Sequence, residues 1–340
     1  MNAHVKAMPH STHKFKLLLR REFWEHKGGF LWAPLVAGAI FLLLSLMGFG
    51  VAEMAARRAT GSFSMGDRDI RVNGLDLGAI TSKMDAEQLR NLASSVDLSL
   101  LMASIWPLIV LAFVVFFYCL GALYDERKDR SVLFWKSLPL SDGETVLSKV
   151  ASALVVAPVI ATIAALATML GFMVIASGMV MIHGGNPMDL LWGPGSPLAM
   201  TGRLLACIPV YALWALPTVG WLLLCSAWAR SKPFLWAIMI PVFAGIFVTW
   251  FEFMHAFQLE SSWFWKNIVA RMLLSVAPGS WINPGHLEGT HFDGPAQLTN
   301  LLSLQSTYAV LLTPQLWIGA VAGALMIFVA IRLRRWRDEG

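Results

Sequence analysis

Charge is scarce in this chain. Only 14% of its 340 residues are Asp, Glu, Lys or Arg, against about 25% in a soluble domain. Cysteine is scarcer: Cys119, Cys207 and Cys225 are the only three, all inside apolar runs, where a free thiol behaves as a small apolar group. With no CxxC pair, the pattern offers neither a disulfide framework nor a cysteine metal site. The sequence contains no G-x-x-x-x-G-K-[ST] phosphate loop, so these residues do not bind ATP in that way. No ionisable residue lies near the middle of any long apolar run. Intramembrane proteases, metalloenzymes and ion-coupled pumps need such groups at depth, so a pathway through these runs is apolar to weakly polar.

What the chain does have is apolar length. It is 57% hydrophobic, with mean hydropathy +0.62, the signature of a polytopic membrane protein. A helix needs about 20 apolar residues to cross the hydrocarbon core. Six segments qualify: 29–51, 98–123, 150–182, 204–228, 234–253 and 315–331. The third has length to spare for tilt or protrusion. The first exceeds the ~7–15 residues of a signal-peptide core and reads as a retained anchor. The expected fold is a single all-α membrane domain with six transmembrane helices.

The net charge of +5 and pI near 9.2 fit basic loops on a cytoplasmic face rather than nucleic-acid binding. With the N-terminus inside, 17 Lys and Arg fall on the inner side and 9 on the outer. Both termini are therefore expected in the cytoplasm. The short basic turn at Arg230 and Lys232 and the tail Arg332, Arg334, Arg335 and Arg337 weigh most. Trp228, Trp236, Trp250, Trp317 and Trp336 fall near the boundaries, as an aromatic belt requires.

Residues 13–28 place Phe15, Leu18, Leu19 and Phe23 at helical spacing, opposite Lys14, Lys16, Arg20, Arg21 and Lys27. This suits a helix lying in the membrane interface. Segments 52–97 and 254–314 are long extracytoplasmic loops. The former ends in a helical pattern, 84–96, leading into the second span. The latter holds 263–277, apolar but too short to cross, which reads as a re-entrant or interfacial helix stopped by Pro278, Gly279, Pro284 and Gly285. Pro107, Pro158, Pro209, Pro217 and Pro241 lie inside spans, where each can kink its helix. Gly319 and Gly323 form a GxxxG, which suits close packing within the subunit or against a second copy. Glu252 with His255, and His286, Glu288, His291 and Asp293, match no metal-ligand spacing, so no metal is expected.

Residues 124–149 hold the densest charge, YDERKDR, between two spans. An amphipathic stretch, 131–138, is stopped by Leu138-Pro139. Ser141 and Glu144 then read as a capping box opening the next helix. Exposed aromatics among mixed charges are an interface composition.

Asp125-Glu126-Arg127, then Ser131, Phe134 and Leu138-Pro139-Leu140-Ser141, resemble the corresponding loop of permease subunits of ABC-2 type transporters. The plan of an interfacial helix, six spans, inner termini and a short outer helix before the last span is similar as well. The resemblance implies an ATP-driven exporter of the bacterial cytoplasmic (inner) membrane, with no catalysis on this chain. It implies two copies of a partner ATPase, which bind ATP and Mg, and a second permease subunit, identical or homologous. Nucleic acid is not an expected partner. Under the resemblance Asp125, Glu126, Arg127, Ser131, Phe134, Trp135, Leu138, Pro139, Ser141 and Asp142 form the ATPase-coupling site. Glu126 and Arg127 would orient the coupling helix, and Phe134, Trp135 and Leu138 would enter a groove of the ATPase. The alternative is a non-transporting scaffold or sensor with ligand-binding outer loops. A fluorescent reporter fused after Arg337 is expected to be active, and alkaline phosphatase inserted at Gly61 likewise. The opposite pattern would invert the topology.

Overall fold

The computed structural model describes residues 11–58, 63–64, 69–70, 86–129, 141–253, 260–282 and 303–336. Ser11–Glu25 (α1) leads through a single π turn, Gly28–Trp32, into Ala33–Arg58 (α2). Phe63–Ser64 and Asp69–Ile70 form a two-residue antiparallel pair. Ala86–Gly121 (α3) is followed after a break by Tyr124–Lys128 (α4). Asp142–Ala151 (α5) joins Ala157–Ile182 (α6) through a second π turn, Ser152–Val156. Next come Pro197–Trp228 (α7) and Pro233–Phe253 (α8). A short helix follows over 261–274, built without a break from Ser261–Phe264 (α9), a π turn and Ala270–Leu274 (α10); Leu304–Ala309 (α11) and Pro314–Trp336 (α12) complete the described chain.

Six helical stretches are long and apolar enough to cross a membrane: Gly28–Ala55, Arg90–Lys128, Asp142–Ile182, Met188–Trp228, Pro233–Glu252 and Pro314–Trp336. They coincide with the six expected spans, and the helix anticipated from 84–96 runs unbroken into the second. Apart from the short strand pair the described elements are helical, so the fold is an all-α six-span membrane protein. Its outer surface agrees. Leu43, Met47, Phe243, Phe247, Val321 and Leu325 are exposed along α2, α8 and α12, a density of apolar surface that water does not tolerate.

Helix α7 is the hub. It packs against α12 along most of its length and also against α3 and α6, while α2 lies on α3 and α6, and α8 stays at the edge. Its central residues Ala215, Val219, Leu222 and Leu223 are buried. Pro209 and Pro217 sit inside it, as Pro107 and Pro241 do inside α3 and α8. Pro158 likewise lies inside the continuous helix 142–182, just after the π turn Ser152–Val156.

The GxxxG belongs to packing within the chain. A Cβ on Gly323 would lie 2.5 Å from the Leu216 carbonyl oxygen, and one on Gly220 would lie 2.5 Å from the Gly323 oxygen. These glycines set how closely α7 and α12 approach. In the turn after α10, Gly279 has φ +84°, which a side chain disfavours.

Thermal unfolding of the purified protein should separate two substitutions. Gly323→Ala forces α12 off α7 and should destabilise by about 1–3 kcal/mol. Gly48→Ala, with no atom within 4 Å of the new methyl, should be neutral or gain up to about 1 kcal/mol from helix propensity.

Candidate functional site

The two flanks of the charged loop converge at one end of the bundle. Glu126 on α4 and Lys149 on α5 are 6% and 2% exposed, and Glu22 on α1 is fully buried. Lys149 Nζ lies 2.9 Å from Glu22 Oε1 and 3.0 Å from Glu126 Oε1. Arg334, near the end of α12, places its NH1 2.7 Å from Glu126 Oε2 and its Nε 3.2 Å from Asp142 Oδ1. Arg21 approaches Glu126 Oε1 at 3.5 Å, and the Tyr118 hydroxyl donates to Glu22 Oε2 at 2.8 Å. Three carboxylates thus face three cations. Phe30 and His26 close over Tyr118, with ring centroids 5.0 and 4.7 Å away.

Local sequence explains why these charges point inward. Leu18 and Glu22 are one turn apart on α1, and both are buried. Val146, Lys149 and Ala153 share a buried face of α5 and its π turn, as do Ile327, Ala330 and Arg334 on α12. Neighbouring positions at helical spacing carry each charge into the core. Such groups are tolerated only when paired, because desolvating a lone charge costs several kcal/mol.

A second junction locks the start of the loop to α7. Ser226 Oγ accepts from the amides of Leu123 and Tyr124, at 3.0 and 2.9 Å. In return Arg127 NH2 donates to the carbonyl oxygens of Ser226 and Ala229. Each partner satisfies groups that a helix end leaves open: amides at the start of α4, carbonyls at the end of α7. The cation also suits the negative end of the α7 dipole.

The anticipated capping box is present. Glu144 N donates to Ser141 Oγ at 3.1 Å, and Ser141 N donates to Glu144 Oε2 at 3.1 Å. Glu126, Arg127 and Asp142 take part in these junctions, while Asp125 is exposed. Ser131, Phe134, Trp135, Leu138 and Pro139 lie outside the described residues. Glu22, Tyr118, Lys149 and Arg334 were not expected here, since sequence counting treats Lys149 and Arg334 as loop and tail charges. Their positions on apolar helical faces are the signal that could have found them. The interfacial helix is likewise divided. Leu18 and Phe23 pack on the bundle, whereas Leu17 and Trp24 face outward.

The far end holds a half-buried cation. The helix 261–274 carries Arg271 to α7 and α12, stacking its guanidinium 3.6 Å from the centre of the Trp214 ring. Thr218 donates to the Arg271 carbonyl at 2.8 Å and accepts from Ser275 N at 3.1 Å. A side chain on Gly319 would collide with the guanidinium. Desolvation lowers Arg271 to about 10, so it stays charged at neutral pH. The expectation of span centres without charge concerns the six spans, and Arg271 lies outside them on the short helix 261–274. Glu252 accepts from Ser261 N at 2.9 Å and so ties the end of α8 to the start of the helix 261–274. His255, His286, Glu288, His291 and Asp293 lie outside the described residues. No group of metal-ligating side chains occurs among the described residues.

These features define a multi-pass, all-α membrane protein with a buried ion-pair network at one end and a short helix packed on α7 at the other. No family model, no curated protein and no solved structure matches the chain.

Glu126→Gln strips the shared partner from Lys149 and Arg334. Loss of a buried partner costs about 3–5 kcal/mol, so a large fall in Tm is expected. Asp125→Asn, exposed one residue earlier, should leave Tm unchanged.

Proposed function

We propose that this chain is the membrane-spanning permease subunit of an ATP-driven exporter that works with a separate ATPase subunit. One observation carries the reading. Arg334 on the last span is held between Glu126 and Asp142, which flank the charged loop on either side. A push on that loop reaches α12 directly, α1 through Lys149 and Glu22, and α7 through Arg127 and Ser226. The DER and LPLS pattern of the loop supports the same reading, and so does the absence of a phosphate loop in these 340 residues. The network end is assigned to the cytoplasm on the asymmetry of Lys and Arg.

In this reading residues 124–149 form the element that receives the nucleotide-driven movement. Glu126, Arg127 and Asp142 anchor it. Phe134, Trp135 and Leu138 make the contact with the ATPase. The helix bundles then rock to expose their pathway alternately to the two sides. The prolines inside α3, α7 and α8 suit such movement.

The experiment is co-expression and co-purification with a candidate ATPase subunit. Trp135→Ala should abolish association and permease-stimulated ATP hydrolysis while leaving the Tm of the permease at the wild-type value. Glu126→Ala should weaken both. Unchanged assembly and hydrolysis in the two variants would overturn the assignment of the loop.

A further inference from the structure

A cleft of about 830 Å³ runs along α3 between α7, α8 and the end of the helix 261–274 with the turns that follow it. Its volume lies within the range of about 300–1,000 Å³ typical of ligand sites. At the network end it is closed where α3 meets α8. There Phe117 stacks on Phe234 with ring centroids 5.9 Å apart, and Phe116 meets Phe234 edge-on at 6.4 Å. From that contact the cleft extends along α3 to Leu101, a distance of about 24 Å at the rise of a helix. Ile109, Phe113, Phe117 and Phe234 at its edge are exposed, so it opens on the lipid-facing side of the bundle.

The interior walls are apolar save for one spare donor, the Trp281 indole N–H, which has no partner among the described residues. Tyr211 spends its hydroxyl on the Val276 carbonyl at 3.1 Å, and Thr162 spends its own on the Pro158 carbonyl at 2.8 Å. A polar substrate with more than one polar group would lose its water there without full replacement, at a cost of a few kcal/mol for each unpaired group. Hydrocarbon loses nothing.

Charge returns only at the far rim. Arg203 lines the cleft there and is exposed. Asp97 lies one turn beyond Leu101 on α3 and feels the Arg203 charge. Among the described residues neither makes an ion pair or a hydrogen bond. One charge of each sign, close enough to feel the other, thus stands over an apolar trough.

We propose that this cleft is a phospholipid site. It takes the acyl chains of a zwitterionic phospholipid along α3, with the phosphate at Arg203 and the protonated amine at Asp97. A guanidinium is well matched to phosphate oxygens. Asp97 opposes a headgroup carrying net negative charge and favours one that brings its own cation. The occupant follows from this complementarity and does not depend on the transport reading.

The test uses the full chain purified in mild detergent and loaded with phosphatidylethanolamine or phosphatidylglycerol of equal chain length. Native mass spectrometry counts the lipid retained on each chain. Wild type should hold one phosphatidylethanolamine in preference to phosphatidylglycerol. Asp97→Asn should remove that preference, and Arg203→Gln should weaken both lipids by about tenfold, the loss of one ion pair worth about 1.4 kcal/mol. Ala112→Trp, which fills the trough, should abolish retention. Arg203→Gln changes an exposed side chain, so it keeps the test sound should Ala112→Trp fail to fold. Equal retention of the two lipids by wild type would overturn the proposal. So would retention unchanged in Arg203→Gln and Asp97→Asn, or a second copy of the chain occupying the cleft in place of lipid.

Discussion

Lys149 can be buried only because Glu22 and Glu126 both reach it, and that requirement organises one whole end of the molecule. In a low-dielectric interior an unpaired ammonium would be expelled or neutralised. Two carboxylates on one lysine would leave an excess of negative charge, which Arg334 and Arg21 remove. The resulting chain of contacts draws α1, α4, α5 and α12 together, although their residues are far apart in sequence. Ion pairs of this kind add little net stability over a well-packed apolar core. Their value is positional: the partners fit in one arrangement, so the four helices hold a fixed register.

The apolar core fixes the rest in a less selective way. Gly220 and Gly323 let α7 and α12 approach until backbone meets backbone, and dispersion contacts accumulate along the seam. The far end is tied by mixed chemistry: a stacked guanidinium, a threonine bridging two turns and a glycine that makes room. The bundle therefore has two polar clasps, one at each end, with an apolar shaft between them.

Much of this was legible in the sequence. Run length and hydropathy placed all six spans, because a bilayer demands the same apolar length of every crossing helix. The capping box was legible because its two partners are three residues apart. The buried charges were not, because composition registers a lysine without registering its direction. Lys149 sits between Val146 and Ala153 on one helical face, a pattern visible in hindsight but weak against the dense charge preceding it. Arg271 was harder still. Its partner Trp214 lies on another helix, and no local pattern states that a short helix will pack on α7.

The ion-pair network also orders events during synthesis. Glu22, Glu126, Asp142 and Lys149 all emerge before the last helix, and until Arg334 arrives the carboxylates outnumber the lysine that serves them. Arg21 lends only a longer contact to Glu126. An unfinished chain therefore carries an uncompensated negative centre at the edge of the bilayer, where it is hydrated and unable to close. Insertion of α12 delivers the missing cation and the apolar seam with α7 together. Arrival of α12 is thus chemically marked, and a protein truncated before α12 would expose a charged, open end.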